Sequence, residues 1–388
     1  MLIKANWLSD QPTQKVLRLL TDAGHQGFVV GGCVRNALLG VPVADIDIAT
    51  SARPETVIEL AKSAGIKAIP TGLAHGTVTV VADHVPHEIT TFRRDIETDG
   101  RRAVVAFTDA MEEDARRRDF TMNAIYADAD GIVADPLGGL PDLDARRIRF
   151  IEDANLRIQE DYLRILRFFR FHAQYGDPDA GFDAEALDAI ASNLDGLGAL
   201  SSVRVGAEMR KLLAAADPAP ALAAMATTGA LIKVLPGANT TFIAPLIHLE
   251  RQATRSPDFV RRLVALGGED PSTRLRLSRA EDKTRTNLLA LTESGVKPAE
   301  IAWRYDVNTA WNAVLLQHAF AGQPLEKDIG AAIDSGAGAK LPVSAKDLMP
   351  RLQGAAIGKA LQKLARAWID SDFALTHSEL MALLGNEG

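Results

Sequence analysis

Two aspartates two residues apart, Asp45 and Asp47 in VADIDIAT, carry the clearest chemical signal in this sequence. In a β-strand residues i and i+2 point to the same face, so a strand over 43–50 projects both carboxylates together. Adjacent carboxylates repel unless cations sit between them. Magnesium prefers oxygen ligands and bridges one or two carboxylates to substrate phosphates, which makes it the natural occupant. The alternative is a solvent-facing edge strand whose acids discourage pairing; Ile46 and Ile48, alternating onto a buried face, argue against it. Just upstream, the apolar run 28–30 ends in Gly31-Gly32 and a helix begins by Val34. Such a turn offers unpaired N–H groups and a positive dipole end to phosphate oxygens. It matches neither GxxxxGK[ST] nor GxGxxG, so on the glycines alone an ordinary tight turn remains open.

Further charged residues could join this centre. Glu88, in HEITTFRRD, lies on a neighbouring strand as a third carboxylate or as a solvated strand residue. His75, in GLAHGT, either borders a nucleotide or is structural. Acids at 109–114 precede Arg116, Arg117 and Arg118, an order that suits a helix macrodipole on a solvated face. Phe120, Met122, Ile125 and Tyr126 are apolar enough to bury part of that segment and leave Arg118, Asp119 and Asn123 at a cleft. An arginine there takes phosphate oxygens in fork geometry. In RIQEDYLRILRFFRF, Leu163, Ile165, Leu166 and Phe169 form an apolar stripe, with Asp161, Arg164 and Arg167 spaced by three. On one helix Asp161 and Arg164 would present acceptor and donors side by side, or form an intrahelical pair worth a few tenths of a kcal/mol, on the order of 0.3.

The elements that must hold these residues follow from periodicity. The pattern predicts a helix over 11–24 stopped by Gly24, a strand at 28–30, the helix 34–39 broken by Gly40-Val-Pro42, and the strand 43–50. A helix led by Pro54 runs to about residue 64, strands follow at 66–70, 76–82 and 87–92, and polar residues 95–107 read as a mobile loop. A strand at 132–135 closes this half, and from 182 onwards the pattern is helical.

At 388 residues, two or more packed units are expected. Hydrophobic content of 47%, charged content of 24% and mean hydropathy near zero describe a soluble globular protein. No apolar run reaches the roughly 20 residues of a membrane helix, and the N-terminus has no signal-peptide pattern; a cytoplasmic protein without a membrane partner is expected. Cys33 is alone, which excludes a disulfide framework and a cysteine-rich zinc site and leaves a small packed residue. The net charge of −7 argues against a uniformly basic nucleic-acid binder. Local excesses exist: seven arginines against four acids over 145–170, and six Lys or Arg against one acid over 340–366, where Gly354 and Gly358 flank a helix start suited to a phosphate backbone.

Five blocks taken together, VGGCVRNALLG with DIDIAT, HGTVTV, RRDFTMNA, DPLGG and EDYLRILRFFRF, resemble the class II tRNA nucleotidyltransferases, the bacterial CCA-adding enzymes, with bacterial poly(A) polymerases as close relatives. The blocks span 28–171, and SAKDLMPRLQGAAIGKAL is similar to the family's tail. The resemblance implies an α+β fold: a polymerase β-like mixed-sheet nucleotidyltransferase head (1–144), then an all-α neck (145–215), body (216–335) and tail (336–388). It implies that Asp45 and Asp47 bind Mg2+, with Glu88 as a third catalytic carboxylate. It implies that Gly31, Gly32, Arg35, Arg117, Arg118, Asp119, Asn123 and Arg167 belong to the nucleotide site, and that Asp161 and Arg164 read the Watson–Crick edge of the incoming base. The activity implied is addition of CCA to the tRNA acceptor end from CTP and ATP. Asn36 departs from the Asp found in many members and weakens an ion pair with Arg35. HGTV, the lack of a long basic C-terminal extension and the intact 95–107 loop favour full CCA addition over poly(A) or CC-only synthesis. A non-enzymatic RNA-binding protein is the reading from another class.

Overall fold

In the computed structural model, which describes residues 1–98, 103–349 and 351–384, the chain divides into two units. One comprises Met1–Ala238 with Gly268–Arg276, the other Asn239–Gly267 with Leu277–Gly388.

The first unit opens with α1 (Asn6–Ser9) and α2 (Gln11–Thr21), whose Val16, Leu17 and Leu20 are buried. Strand β1 (Gly27–Val30) leads into α3 (Gly32–Leu39), β2 (Asp47–Thr50) and α4 (Pro54–Ser63). Then come β3 (Lys67–Gly72), β4 (Thr77–Ala82), β5 (Val85–Thr91) and the hairpin β6 (Arg93–Thr98) with β7 (Ala103–Phe107). After α5 (Met111–Arg116), the short strands β8 (Tyr126–Ala127) and β9 (Val133–Ala134) complete a seven-stranded sheet of order β3-β4-β5-β2-β1-β8-β9. Among the described residues only β2 and β5 run parallel; the other neighbours in this sheet are antiparallel. Helices α2 and α4 pack on β4, over a face that buries Val78, Val80, Ala82 and Ile89. The alternating residues Thr77, Thr79 and Glu88 stay partly or fully exposed on the other face, as the two-residue period of a strand demands.

Three expectations need correction. The strand expected over 43–50 is only Asp47–Thr50. Its partner β1 offers just Gly27, Phe28 and Val29 to Thr50, Ala49 and Ile48, so residues 43–46 have no ladder to join on that side. Asp45 therefore precedes the strand instead of lying within it. Residues 95–107, read as a mobile loop, pair as the hairpin of β6 and β7, apart from 99–102, which lie outside the described residues.

The helix expected through Asp161 is interrupted there. After α6 (Leu140–Asp144), α7 (Ala154–Glu160) and α8 (Leu163–Tyr175) are separate helices. Asp161 between them is extended, at φ −153°, and its Oδ1 accepts from the Leu163 N–H at 3.1 Å. A short acceptor side chain that can satisfy a free helix N–H competes with helix continuation, and here the competition breaks the helix. Helix α8 packs Phe168 and Phe171 with Phe120 and Phe150, with Phe120 centred 5.0 Å from both Phe150 and Phe171. Beyond α9 (Ala184–Ser192), α10 (Ser202–Leu213) packs along α8.

In the second unit every described regular element is helical, as the sequence from 182 onwards predicts. Buried Arg261 and Arg262 both bind the Glu250 carboxylate, and Arg261 also donates to Asn312.

Candidate active site

Asp47 opens β2 in register with Glu88 on β5, so the two side chains stand beside each other on the exposed face. The Glu88 N–H donates to Ile46 O at 3.3 Å and holds the irregular segment carrying Asp45 to the same strand. The Asp47 carboxyl is raised above the usual carboxylate range, first by partial burial, then by the charge of Glu88 and that of Asp45; Arg118 opposes the shift. Three acids thus share one electrostatic site although the strand geometry expected for Asp45 is absent. Among the described residues no group of three or more His, Cys, Asp or Glu side chains is arranged to hold a metal ion. The donor set suits a hard cation nonetheless: its side-chain donors are all oxygens, and a cation there would offset the repulsion from Glu88 and Asp45 that adds to burial in lifting the Asp47 pKa.

The glycine turn sits where β1 meets α3. Gly31 adopts φ 72° and ψ −120°, and a Cβ on it would come within 3.4 Å of Arg118 Nη1. The turn and Arg118 therefore face one another across the start of α3, with Gly32 as its first residue. Cys33 behind it is buried, and burial pushes its thiol up to about 11.

The segment after α5 is organised by buried acids. Asp114 accepts from Arg117 and Arg118 and from the Tyr126 hydroxyl at 2.8 Å. Burial pushes its carboxyl up, but the Arg118 and Arg117 guanidiniums outweigh that and bring it down to about 2. Asp119 accepts from Arg167 at 2.5 Å, the Asn123 amide at 2.8 Å and the Phe120 N–H at 2.9 Å. Burial again opposes ionisation, and Arg167 reverses it, holding Asp119 well below the usual range. Asn123 accepts in turn from Arg35 Nη1.

Arg35 is buried, donates to Asn36 Oδ1 at 2.9 Å and to Tyr175 OH at 2.9 Å, and lies over the Tyr175 ring. It braces α3 against α8 and offers no open face. Asn36 keeps contact with Arg35 as a neutral acceptor, where an Asp would have made an ion pair.

Both depressed carboxylates set an acid limit. Their folded pKa values lie below the unfolded ones, so their stabilisation is complete above about pH 4 and disappears as pH falls through the folded values. For Asp114, moving from 3.8 to about 2, this corresponds to about 2 kcal/mol. Thermal melting followed from pH 6 to pH 2 should show stability dropping below pH 4, and Asp114→Asn should flatten part of that drop.

Asp161 and Arg164 do not form the side-by-side pair expected of one helix. Asp161 Oδ2 accepts from Arg204 of α10 at 2.7 Å. Arg164 Nη1 donates to Glu160 Oε2 at 2.7 Å and to Arg157 O at 2.9 Å, and its Nη2 to Arg117 O at 2.8 Å. These bonds leave Nε–H and one Nη2–H for a ligand, while Asp161 retains lone pairs on both oxygens. Next to Glu160 a cleft of roughly 300 Å3 is lined by Arg94, Glu113, Arg116, Arg117, Glu152 and Arg157. His75 is exposed in the turn before β4, and its carbonyl accepts from Arg93.

Sequence reasoning missed Asp114, Arg204 and Glu208. Glu208 takes Arg170 at 2.5 Å and lies 3.9 Å from Arg167, and Arg204 takes Asp161, so α10 backs α8 and the residue before it. One signal was available: Arg204 lies in the first turn of α10, where the helix dipole disfavours a cation, so it calls for an acidic partner.

Comparison with known proteins bears on this geometry. Residues 27–149 match the Poly A polymerase head domain family, and residues 181–241 match the family described as "Probable RNA and SrmB- binding site of polymerase A". Human mitochondrial CCA tRNA nucleotidyltransferase 1 is 43% identical over 201 residues, 52% of this chain and 46% of that protein. The CCA-adding enzyme of Geobacillus thermodenitrificans is 42% identical over 224 residues, 57% of this chain and 54% of the enzyme. In these alignments the chain spans about half the length of the curated relatives it matches. The crystal structure of the Bacillus stearothermophilus CCA-adding enzyme in complex with CTP superposes with a TM-score of 0.73 at 30% identity, covering 93% of each chain. The Thermotoga maritima CCA-adding enzyme complexed with tRNA shares the fold, with a TM-score of 0.71 at 19% identity over 97% of this chain and 94% of that one. No described helix is long and apolar enough to cross a membrane.

Proposed function

The chain belongs to the class II tRNA nucleotidyltransferase and poly(A) polymerase family, and from that premise we propose that it adds CCA to tRNA 3′ ends from CTP and ATP. The observation that carries this reading is the joining of two centres in one unit: the acidic cluster of Asp45, Asp47 and Glu88 beside a glycine turn, and the break at Asp161 with its partly unsatisfied acceptor and donors.

The first centre handles phosphate. Gly31 and the N–H groups opening α3, with Arg118 against them, suit the triphosphate. Asp45 and Asp47 would hold Mg2+, which when bound would neutralise phosphate oxygens and lower the pKa of the attacking 3′-hydroxyl. Glu88 shapes the same field from the next strand. Asp119, tied to Arg167 and Asn123, fixes the segment on which Arg118 sits.

The second centre selects the base. A carboxylate accepts from the amino group of C or A, and a guanidinium donates to ring or carbonyl acceptors. Asp161 and Arg164 have that capacity left after their protein contacts. We assign the basic stretch over 340–366 to the tRNA backbone, and the division into head, neck, body and tail at 144, 215 and 335 belongs to the same proposal.

Measured kcat/KM for the four nucleotides tests the assignment. Asp161→Ala and Arg164→Ala should each cut the preference for C and A over U and G by on the order of tenfold or more, the scale of a lost base contact of about 1–3 kcal/mol. Equal losses for every nucleotide would remove the base-reading role.

A further inference from the structure

Sheet order constrains where the acceptor must lie. The glycine turn and Arg118 sit on the β1 side of Asp47, whereas Glu88 on β5 and then β4 and β3 extend on the other. In phosphoryl transfer the attacking and leaving oxygens are roughly in line. With the triphosphate on the β1 side, the attacking hydroxyl must arrive over β5 and β4.

That part of the open face is hydroxylated. Thr79 stands directly opposite Glu88, and Glu88 is in register with Asp47, so the three residues form one row across three strands. Strands are about 4.8 Å apart, which places Thr79 roughly 10 Å from Asp47, within the span of one nucleotide. Thr79 Oγ1 shares a hydrogen bond with Thr71 Oγ1 at 2.9 Å, and Thr77 Oγ1 shares one with Thr90 Oγ1 at 3.1 Å. Two hydroxyls bring two hydrogens and use one between them, so each pair keeps a donor and spare lone pairs for a ligand. Thr90 follows Glu88 by two residues on the same face. Threonine pairs also stabilise antiparallel strands, but the open face, the unspent donors and the alignment with the acids together suit a sugar hydroxyl.

We propose that Thr79, with Thr90 beside it, receives the terminal ribose of the RNA acceptor through its 2′-hydroxyl and so selects RNA over DNA ends. The proposal rests on the nucleotidyl-transfer reading above. These threonines are positioning residues: they hold the sugar whose 3′-hydroxyl reacts near Asp45 and Asp47.

The test uses two acceptors, a tRNA ending in its second C and the same tRNA with 2′-deoxycytidine at that end; both keep the 3′-hydroxyl. Wild-type protein should lose about tenfold in kcat/KM on the deoxy acceptor, the scale of one hydrogen bond. Thr79→Val, which preserves a β-branched strand residue, should lose a similar factor on the ribose acceptor and nothing further on the deoxy one. The KM for the acceptor should rise while the KM for ATP stays constant. Thr90→Val should behave likewise with a smaller loss, and unchanged melting temperatures show that both variants fold. An undiminished deoxy penalty in both variants, or none in the wild type, overturns the proposal, as does a change confined to the KM for ATP. Asp47→Ala in the same assay separates the two levels: surviving incorporation there overturns the underlying reading, and its loss with an unaltered deoxy penalty in the threonine variants overturns this proposal alone.

Discussion

Asp47→Ala should abolish nucleotide incorporation, by on the order of 1,000-fold or more, and leave tRNA affinity unchanged. The magnitude follows from the several kcal/mol that charge neutralisation at phosphate oxygens is worth, each 1.36 kcal/mol being about tenfold in rate. Asp47 is the acid on which the local field converges, raised by burial, Glu88 and Asp45. Because that charge is held at a cost, Asp47→Asn should melt at the same temperature as the wild type or higher without metal, and should lose any stabilisation that Mg2+ gives. Asp45→Ala should fail in incorporation in the same way. A protein that merely binds RNA would keep all its activity in both variants, so a filter-binding measurement beside an incorporation assay discriminates the two classes.

Asp119→Ala should be strongly destabilising, by about 2–4 kcal/mol, the scale of two buried donors left without an acceptor. The mutation leaves the half-buried Arg167 guanidinium with only the Glu208 carboxylate, 3.9 Å away, and leaves the buried Asn123 amide and Phe120 N–H without this acceptor. A buried donor left without its acceptor costs its desolvation, more than the bond itself contributed. Through Asn123 the damage reaches Arg35 and Tyr175, so α3 and α8 should loosen together. Urea unfolding measures the loss; Asp119→Asn, which retains a carbonyl acceptor, should recover part of it. A stability unchanged by Asp119→Ala would remove Asp119 from the organisation of this segment.

Much of the head was legible in the sequence because its strands are short and alternate cleanly. HGTVTV reads as β4 with Val78 and Val80 inside, and that is where they lie. The glycine turn was legible because Gly31 needs a positive φ that other residues resist. What failed did so where a long-range partner decides local structure. The strand over 43–50 was shortened by the brevity of β1, which offers only Gly27, Phe28 and Val29 as partners, and that fact is not local to the strand. The neck helix looked continuous because Leu163, Ile165, Leu166 and Phe169 keep helical spacing beyond Asp161; the break depends on Asp161 bonding Leu163 and Arg204, the latter 43 residues away. Arg35 and Arg167 look alike in sequence as loose cations near motifs, yet Arg35 is a buried brace and Arg167 the partner of Asp119.

The most direct measurement supplies purified protein with tRNA lacking its CCA end, gives CTP and ATP separately and together, and sequences the product termini. The account predicts two C residues from CTP alone, CCA from the two together, and termination there. Runs of A on unstructured RNA, with no C incorporated, would contradict it.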